Sequence, residues 1–295
     1  KSFVGKKHTD IVDNPHIYEN PVVLGQVMSS NDYWSVFWSC GSSSDEIPTS
    51  NEIRVGKHVG EDQQSTRETQ ILGYLVIEAG SYQLGSLNIT TAVGSDSIKG
   101  MDNGSYVYSL PQKTYNFIVC QSGMDGNDGS LVAIADDVQA VGGRIRLTAV
   151  EDTFSDVERK HTNEQASWLA FERVLTNDEL FMENGSTTLS TEEWTTVHAV
   201  GSYESMVVVT TPVLSKDSAS VIVRIDEDSM TANSVNMKLE RIDGINEAVF
   251  GIDVTYMIVE EGTYTLEEHG ISMQAVKYRS GFVDGKPSYV GESHS

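Results

Sequence analysis

Positive charge is scarce in this sequence. Its 295 residues carry 20 Lys and Arg against 43 Asp and Glu, a formal net charge of −23. Such a surface repels phosphate, which argues against a nucleic-acid partner. No apolar run approaches the ~18 residues of a membrane-spanning helix, so helical membrane insertion is not expected. With only two cysteines, Cys40 and Cys120, there is neither a disulfide-dense scaffold nor a CxxC metal motif. One disulfide is open to them outside the cell; two buried thiols are the equal alternative. No long amphipathic stripe of period 3.6 is present, which excludes the helical fold classes. Catalytic signatures are missing as well: there is no nucleophile elbow, no P-loop and no GxGxxG. Acid pairs such as Glu260-Glu261 carry no weight among 43 acids, so no enzyme is expected.

What is present is a succession of short β-branched runs. Pro21-Val22-Val23-Leu24, Phe117-Ile118-Val119-Cys120 and Met206-Val207-Val208-Val209 are bounded by Ser, Asn, Asp and Gly. Strict alternation marks Ser220–Asp226 and Arg144–Leu147. Short strands at this spacing predict an all-β chain of antiparallel β-sandwich type.

The strands also repeat. Tyr74-Leu75-Val76-Ile77-Glu78 returns as Trp168-Leu169-Ala170-Phe171-Glu172 and as Tyr256-Met257-Ile258-Val259-Glu260, the aromatics 94 and 88 residues apart. A turn aspartate keeps nearly the same period at Asp32, Asp128 and Asp217, each four residues before a Val. Two markers in the same order predict three tandem domains, 1–95, 96–188 and 189–270. Alternation predicts Leu75, Ile77, Leu169, Phe171, Met257 and Val259 on core faces, with Tyr74, Trp168 and Tyr256 turned toward another domain. Residues 271–295 look like the opening of a further repeat. Ala92-Val93 and Tyr106-Val107 recur at Ala275-Val276 and Tyr289-Val290, an offset of 183, and Gly80-Ser81-Tyr82 recurs at Gly262-Thr263-Tyr264. Such strands need a sheet edge. Pairing within the chain would give a closed monomer, and pairing between chains a filament. The start at Lys1, without Met or a leader, fits a mature or excised piece.

The order of Tyr18-Glu19-Asn20-Pro21-Val22-Val23-Leu24, a turn Asp, an alternating strand and Ser167-Trp168-Leu169-Ala170-Phe171-Glu172 resembles the H-type lectin domain of snail agglutinins and discoidin C-terminal domains. The resemblance covers the chain three times. It implies small six-stranded, immunoglobulin-like sandwiches that trimerise and hold sugar in clefts between neighbours. Three tandem copies would then make a trimer within one chain. In that family a strand Arg after a Val-Ile pair contacts the hexosamine, together with an acid and an aromatic or His of the neighbour. The matching positions here are Arg224 in the third copy, Ser39 in the first and Ala135 in the second.

Arg224 and Asp217 are therefore the candidate carbohydrate-binding residues, with Trp34 and Trp38 of the aromatic cluster Tyr33–Trp38 offered as a stacking platform against the stronger alternative of core packing. Arg224→Ala is expected to abolish glycan retention at nearly unchanged stability, with Trp38 as the next candidate. Three sequons, at Asn88, Asn103 and Asn184, suit N-glycosylation in a secreting eukaryote. No cofactor or metal is expected. The nearest signal is the loop Gly123–Gly129, whose Asp125, Asn127 and Asp128 offer oxygens of the kind calcium takes, but the EF-hand spacing fails at Gly129. His58, His161, His198 and His269 form no HxxxH or HxH. The leading expectation is an extracellular or cell-surface, non-enzymatic carbohydrate-binding or adhesion protein whose partners are glycans. The alternative is a structural subunit of a surface fibre or sheath, self-associating through its C-terminal strands.

Overall fold

The structure, a computed structural model, describes residues 18–85, 87–110, 116–135, 143–153, 157–172, 174, 181–285 and 292–293. The fold is nearly all β, and its small sheets are arranged in a ring. The described strands are β1 (Pro21–Val27), β2 (Val36–Cys40), β3 (Arg54–His58), β4 (Gln70–Glu78), β5 (Gly80–Leu84), β6 (Leu87–Val93), β7 (Tyr106–Ser109), β8 (Asn116–Gln121), β9 (Leu131–Ala135), β10 (Arg144–Val150), β11 (Ala166–Phe171), β12 (Met182–Leu189), β13 (Thr195–His198), β14 (Met206–Leu214), β15 (Val221–Thr231), β16 (Ser234–Arg241), β17 (Ile252–Glu260), β18 (Gly262–Tyr264), β19 (Met273–Ser280) and β20 (Glu292–Ser293). One helical turn, α1 (Leu266–His269), sits between β18 and β19. Thr265 caps its start, and Gly270 ends it at a positive φ of 74°.

The same pairings recur along the chain. β4, β11 and β17 are each flanked by an earlier strand with the Val-rich run, giving β1-β4-β19, β8-β11-β6 and β14-β17-β12. A second set of pairings repeats as β2-β3-β20, β9-β10-β7 and β15-β16-β13. The C-terminal strands supply what the first set lacks. β19 pairs antiparallel with β4 from Met273↔Ile77 to Ser280↔Gln70, and β20 pairs with β3. The tail therefore closes onto its own chain. The expected segment 286–290 lies outside the described residues.

The repeated glutamate at the end of the late strand now has a cause. Glu78 accepts from the backbone N–H of Glu19 and Asn20 at 2.7 and 2.9 Å. Glu260 does the same for Glu204 and Ser205, at 2.7 Å each. A carboxylate can satisfy both donors of the turn that leads into β1 or β14, and no apolar residue can. The following Tyr completes the lock: Tyr82 and Tyr264 donate to the carbonyls of Glu78 and Glu260.

The six residues predicted on core faces are all buried, but the aromatics opposite them do not face another domain. Leu75, Ile77, Leu169, Phe171, Met257 and Val259 share one cluster with Leu24, Ile118 and Val209, so residues of all three repeats meet in one core. The aromatics turn instead toward the second set of strands. Trp168 stacks on Phe117 at 5.5 Å and packs with Val132, Ile134 and Leu147. Tyr74 stacks on Phe37 of β2 at 6.5 Å, and Tyr256 packs beside Val235 and Leu239. A strand buried on both sides shows no polar face, so alternation alone could not say what each side meets.

One kind of contact recurs between the repeated sets of strands. β9 runs parallel to the end of β14, Ser39 bridges in parallel to Ser122 beyond β8, and the N–H of Glu227 in β15 donates to the Met28 carbonyl beyond β1 at 3.2 Å. Each time a second-set strand lies against the end of the next region's Val-rich strand.

Candidate functional site: an open cleft and a buried charge cluster

At the β15/β1 contact the sequence leaves an open cleft of about 460 Å³. Its floor comes from β15 and β16, and its walls from residues 30–32 and from the loops at 191–194 and 245–248. Alternation in Val221–Ile225 buries Val221, Val223 and Ile225 in the core. Arg224 is thereby turned toward the cleft, which it lines at 4% exposure. Its guanidinium pairs with Glu240 and donates to the carbonyls of Asp32, at 2.7 Å, and Ser29, at 3.3 Å. Arg224 thus clamps β15 to the 29–32 turn. Removing it would strand a carboxylate and two carbonyls, so the expected near-zero stability cost of Arg224→Ala is corrected: unsatisfied partly buried groups cost ~1–3 kcal/mol.

The cleft also holds an aromatic that sequence reasoning passed over. Trp194 is 37% exposed, and Lys238 Nζ stands 5.0 Å from its ring centroid. Its sequence signal is a lone Trp in the polar run Thr191-Glu192-Glu193-Trp194, outside any apolar alternation. Such an aromatic in a turn has no core to serve. Ile245, 48% exposed, and Asn246 face the same space.

The other candidates fall elsewhere. Asp217 is exposed in the Ser215–Ser218 turn and is not among the cleft residues; the acid paired with Arg224 is Glu240, and Asp32 offers it a backbone carbonyl. The Asp217 turn is held by Arg159, whose guanidinium donates to the Lys216 and Ser218 carbonyls at 2.7 and 2.9 Å. Trp34 and Trp38 are 4% and 0% exposed, so they offer no platform to a sugar, and this expectation is corrected. Trp38 packs with Cys40 and Met124, and its Nε1 donates to Asp284 at 3.0 Å. Asn184, 3% exposed, accepts from Asn116 at 2.7 Å between β12 and β8, so the fold leaves no room there for a glycan. Asn88 and Asn103 are exposed. Cys40 and Cys120 are separate buried free thiols. Burial is the main reason that the Cys120 thiol is pushed up to about 12.

A second polar centre lies around the Gly123–Gly129 loop. His161 donates or accepts at both ring nitrogens, to Glu151 at 2.8 Å and Glu164 at 2.8 Å. Burial pulls the imidazole down, but its bonds to these carboxylates win and hold it up at about 9. Glu164, fully buried, also accepts from Gln121 and from the N–H groups of Asp125 and Gly126. Asp125 is raised to about 6, first by burial and then by Glu164. Across the contact to the first region, His58 is completely buried, with Nε2 on the Ser130 carbonyl at 3.0 Å, and burial lowers it to about 4. Asp128, Glu151 and His161 place one ligand atom each within 4.8 Å of one another. The calcium-like loop thus contributes one acid, Asp128, to a mixed nitrogen and oxygen set rather than an all-oxygen cage. Asn127 is exposed.

Among the described residues no helix is long and apolar enough to cross a membrane. No protein-family model, no curated protein and no solved structure matches this chain.

Proposed function

We propose that the chain is a non-enzymatic carbohydrate-binding protein, acting at the cell surface or outside the cell, that holds a glycan in the cleft between Trp194 and Arg224. The observation that carries this reading is the half-exposed Trp194 ring at the mouth of a polar cleft floored by a buried, fixed guanidinium. A sugar has an apolar face that stacks on an indole and hydroxyls that pair with carboxylate, amide and ammonium groups. Trp194 supplies the plate; Glu240, Asn246 and Lys238 supply pairing groups around it. The cleft lies where two regions meet, which suits the H-type-lectin-like arrangement of sugar between neighbouring domains.

The recurrent pairings support three sandwich units of seven, seven and six strands. In this reading the first unit combines β1–β4 with β18–β20, the second runs from β5 to β11, and the third from β12 to β17. The filament alternative loses its main support, because β19 and β20 are paired with β4 and β3 of their own chain.

A glycan array probed with the protein and with Trp194→Ala tests the reading. Retention of a defined glycan by the protein, lost in a normally folded Trp194→Ala, is the expected result. No retention by the unaltered protein, or equal retention by the variant, overturns it.

A further inference from the structure

We propose that Asp128, Glu151 and His161 form a binding site for a first-row divalent transition cation of the zinc or manganese class. This site is separate from the cleft and does not depend on the reading of the cleft. The histidine distinguishes the set from a patch of acids: its side chain is 1% exposed, against 7% for Glu151. Both are held in the interior, where a charge without a counter-charge is costly.

The geometry around His161 has the pattern of a metal-ligating imidazole. Glu164 takes the Nε2 side at 2.8 Å, and Glu164 is itself fixed by Gln121 and two backbone N–H groups. A carboxylate behind one ring nitrogen orients the other toward a metal. That other atom, Nδ1, faces Glu151 Oε2 at 2.8 Å, and an Asp128 carboxylate oxygen lies within 4.8 Å of the ligand atoms of both residues. Ligand bonds of ~2.0–2.2 Å bring such atoms onto one ion after small side-chain rotations. Gly126 permits the close approach of the loop: a Cβ there would fall 2.4 Å from the His161 ring.

Charge favours the same occupant. Asp128, Glu151 and Glu164 surround a single imidazole, with Asp125 beside them. In the metal-free state the hydrogen bond between Nδ1 and Glu151 holds one proton. Binding exchanges that proton for a dication: its N–H or O–H bond breaks, a nitrogen–metal bond forms, and the proton leaves to solvent. The local negative charge falls by one unit. One imidazole and two carboxylates suit zinc or manganese better than calcium, which takes six to eight oxygens.

The test uses the full chain after dialysis against a chelator. ZnCl2 and MnCl2 are titrated by calorimetry in buffers of different ionisation enthalpy, and melting is followed in parallel, with CaCl2 as the control. Expected are one bound Zn2+ or Mn2+, proton release, a raised melting temperature, and affinity ~10–100-fold weaker in Glu164→Gln, which removes the carboxylate behind the histidine. Asp128→Asn, at a half-buried position, and His161→Gln should each remove that binding event. Absence of heat and of any melting shift with both ions overturns the proposal. So does a site that survives Asp128→Asn and His161→Gln unchanged, or one that takes Ca2+ as readily as Zn2+.

Discussion

The cleft at Arg224 and the cluster at His161 are two polar centres near two of the contacts that close the ring, and they differ in how their charge is used. At β15, one guanidinium spans the contact by taking two backbone carbonyls and one carboxylate, and space is left above it. At the Gly123–Gly129 loop, carboxylates and an imidazole fill the interior and bind one another. A clamp with one long cation leaves a cleft, whereas a network of short acids closes one. The difference also separates accessible chemistry from buried chemistry: Trp194 is reachable by a ligand of any size, but His161 only by something as small as an ion or a proton.

The largest expected effect damages both centres alike. Phe171 lies in the cluster shared by all three regions, and Phe171→Ala should cost ~3–5 kcal/mol by denaturant unfolding. A loss under 1 kcal/mol would mean that the central cluster does not couple the regions.

Arg224→Ala should separate the centres. It should lower stability by ~1–3 kcal/mol through the stranded Glu240 and the two carbonyls, and also abolish glycan retention. Full stability with lost retention would restore a purely ligand-binding role for this residue.

The next effect depends on acidity and belongs to the buried side. His58 is lowered to about 4 in the fold, while an exposed histidine titrates near 6.5. The unfolded chain therefore binds the proton first. His58 contributes its full stability above about 6.5 and loses it as pH falls through about 4. Asp125, raised to about 6, acts in the opposite direction but is exposed, so His58 should dominate this difference. Melting followed from pH 7 to pH 4 should fall less steeply in His58→Gln than in the unaltered protein; parallel curves would contradict this.

The smallest effect on stability is expected at the open side. Trp194→Ala removes an exposed ring and should change unfolding by no more than ~0.5 kcal/mol.

Much of the frame was legible in the sequence because it rests on local rules. Strand periodicity, the returning Glu at 78 and 260 and the 183-residue echo of Ala92-Val93 at Ala275-Val276 all correspond to pairings or caps in the fold. Of the site, the sequence found Arg224 but paired it with Asp217, whereas its carboxylate partner is Glu240 and ring closure sets its guanidinium on the Asp32 backbone carbonyl. That last contact depends on which strand ends meet across 192 residues, and no local pattern records it. Trp34 and Trp38 misled because an aromatic-rich strand reads the same whether its second face is open or covered. The His161 cluster was invisible for the opposite reason. Charged residues in loops are ordinarily solvated, and only the fold shows Glu151, Glu164 and His161 packed together out of water.

The account turns on which tryptophan meets the ligand, and the chain's 4 Trp allow that to be read directly. Indole N–H resonances of a ¹⁵N-tryptophan-labelled sample would be followed as a glycan retained on the array is added. A shift confined to Trp194, with Trp34, Trp38 and Trp168 unmoved, is the predicted result. A shift at Trp34 or Trp38 with Trp194 still would place the ligand elsewhere and contradict the account.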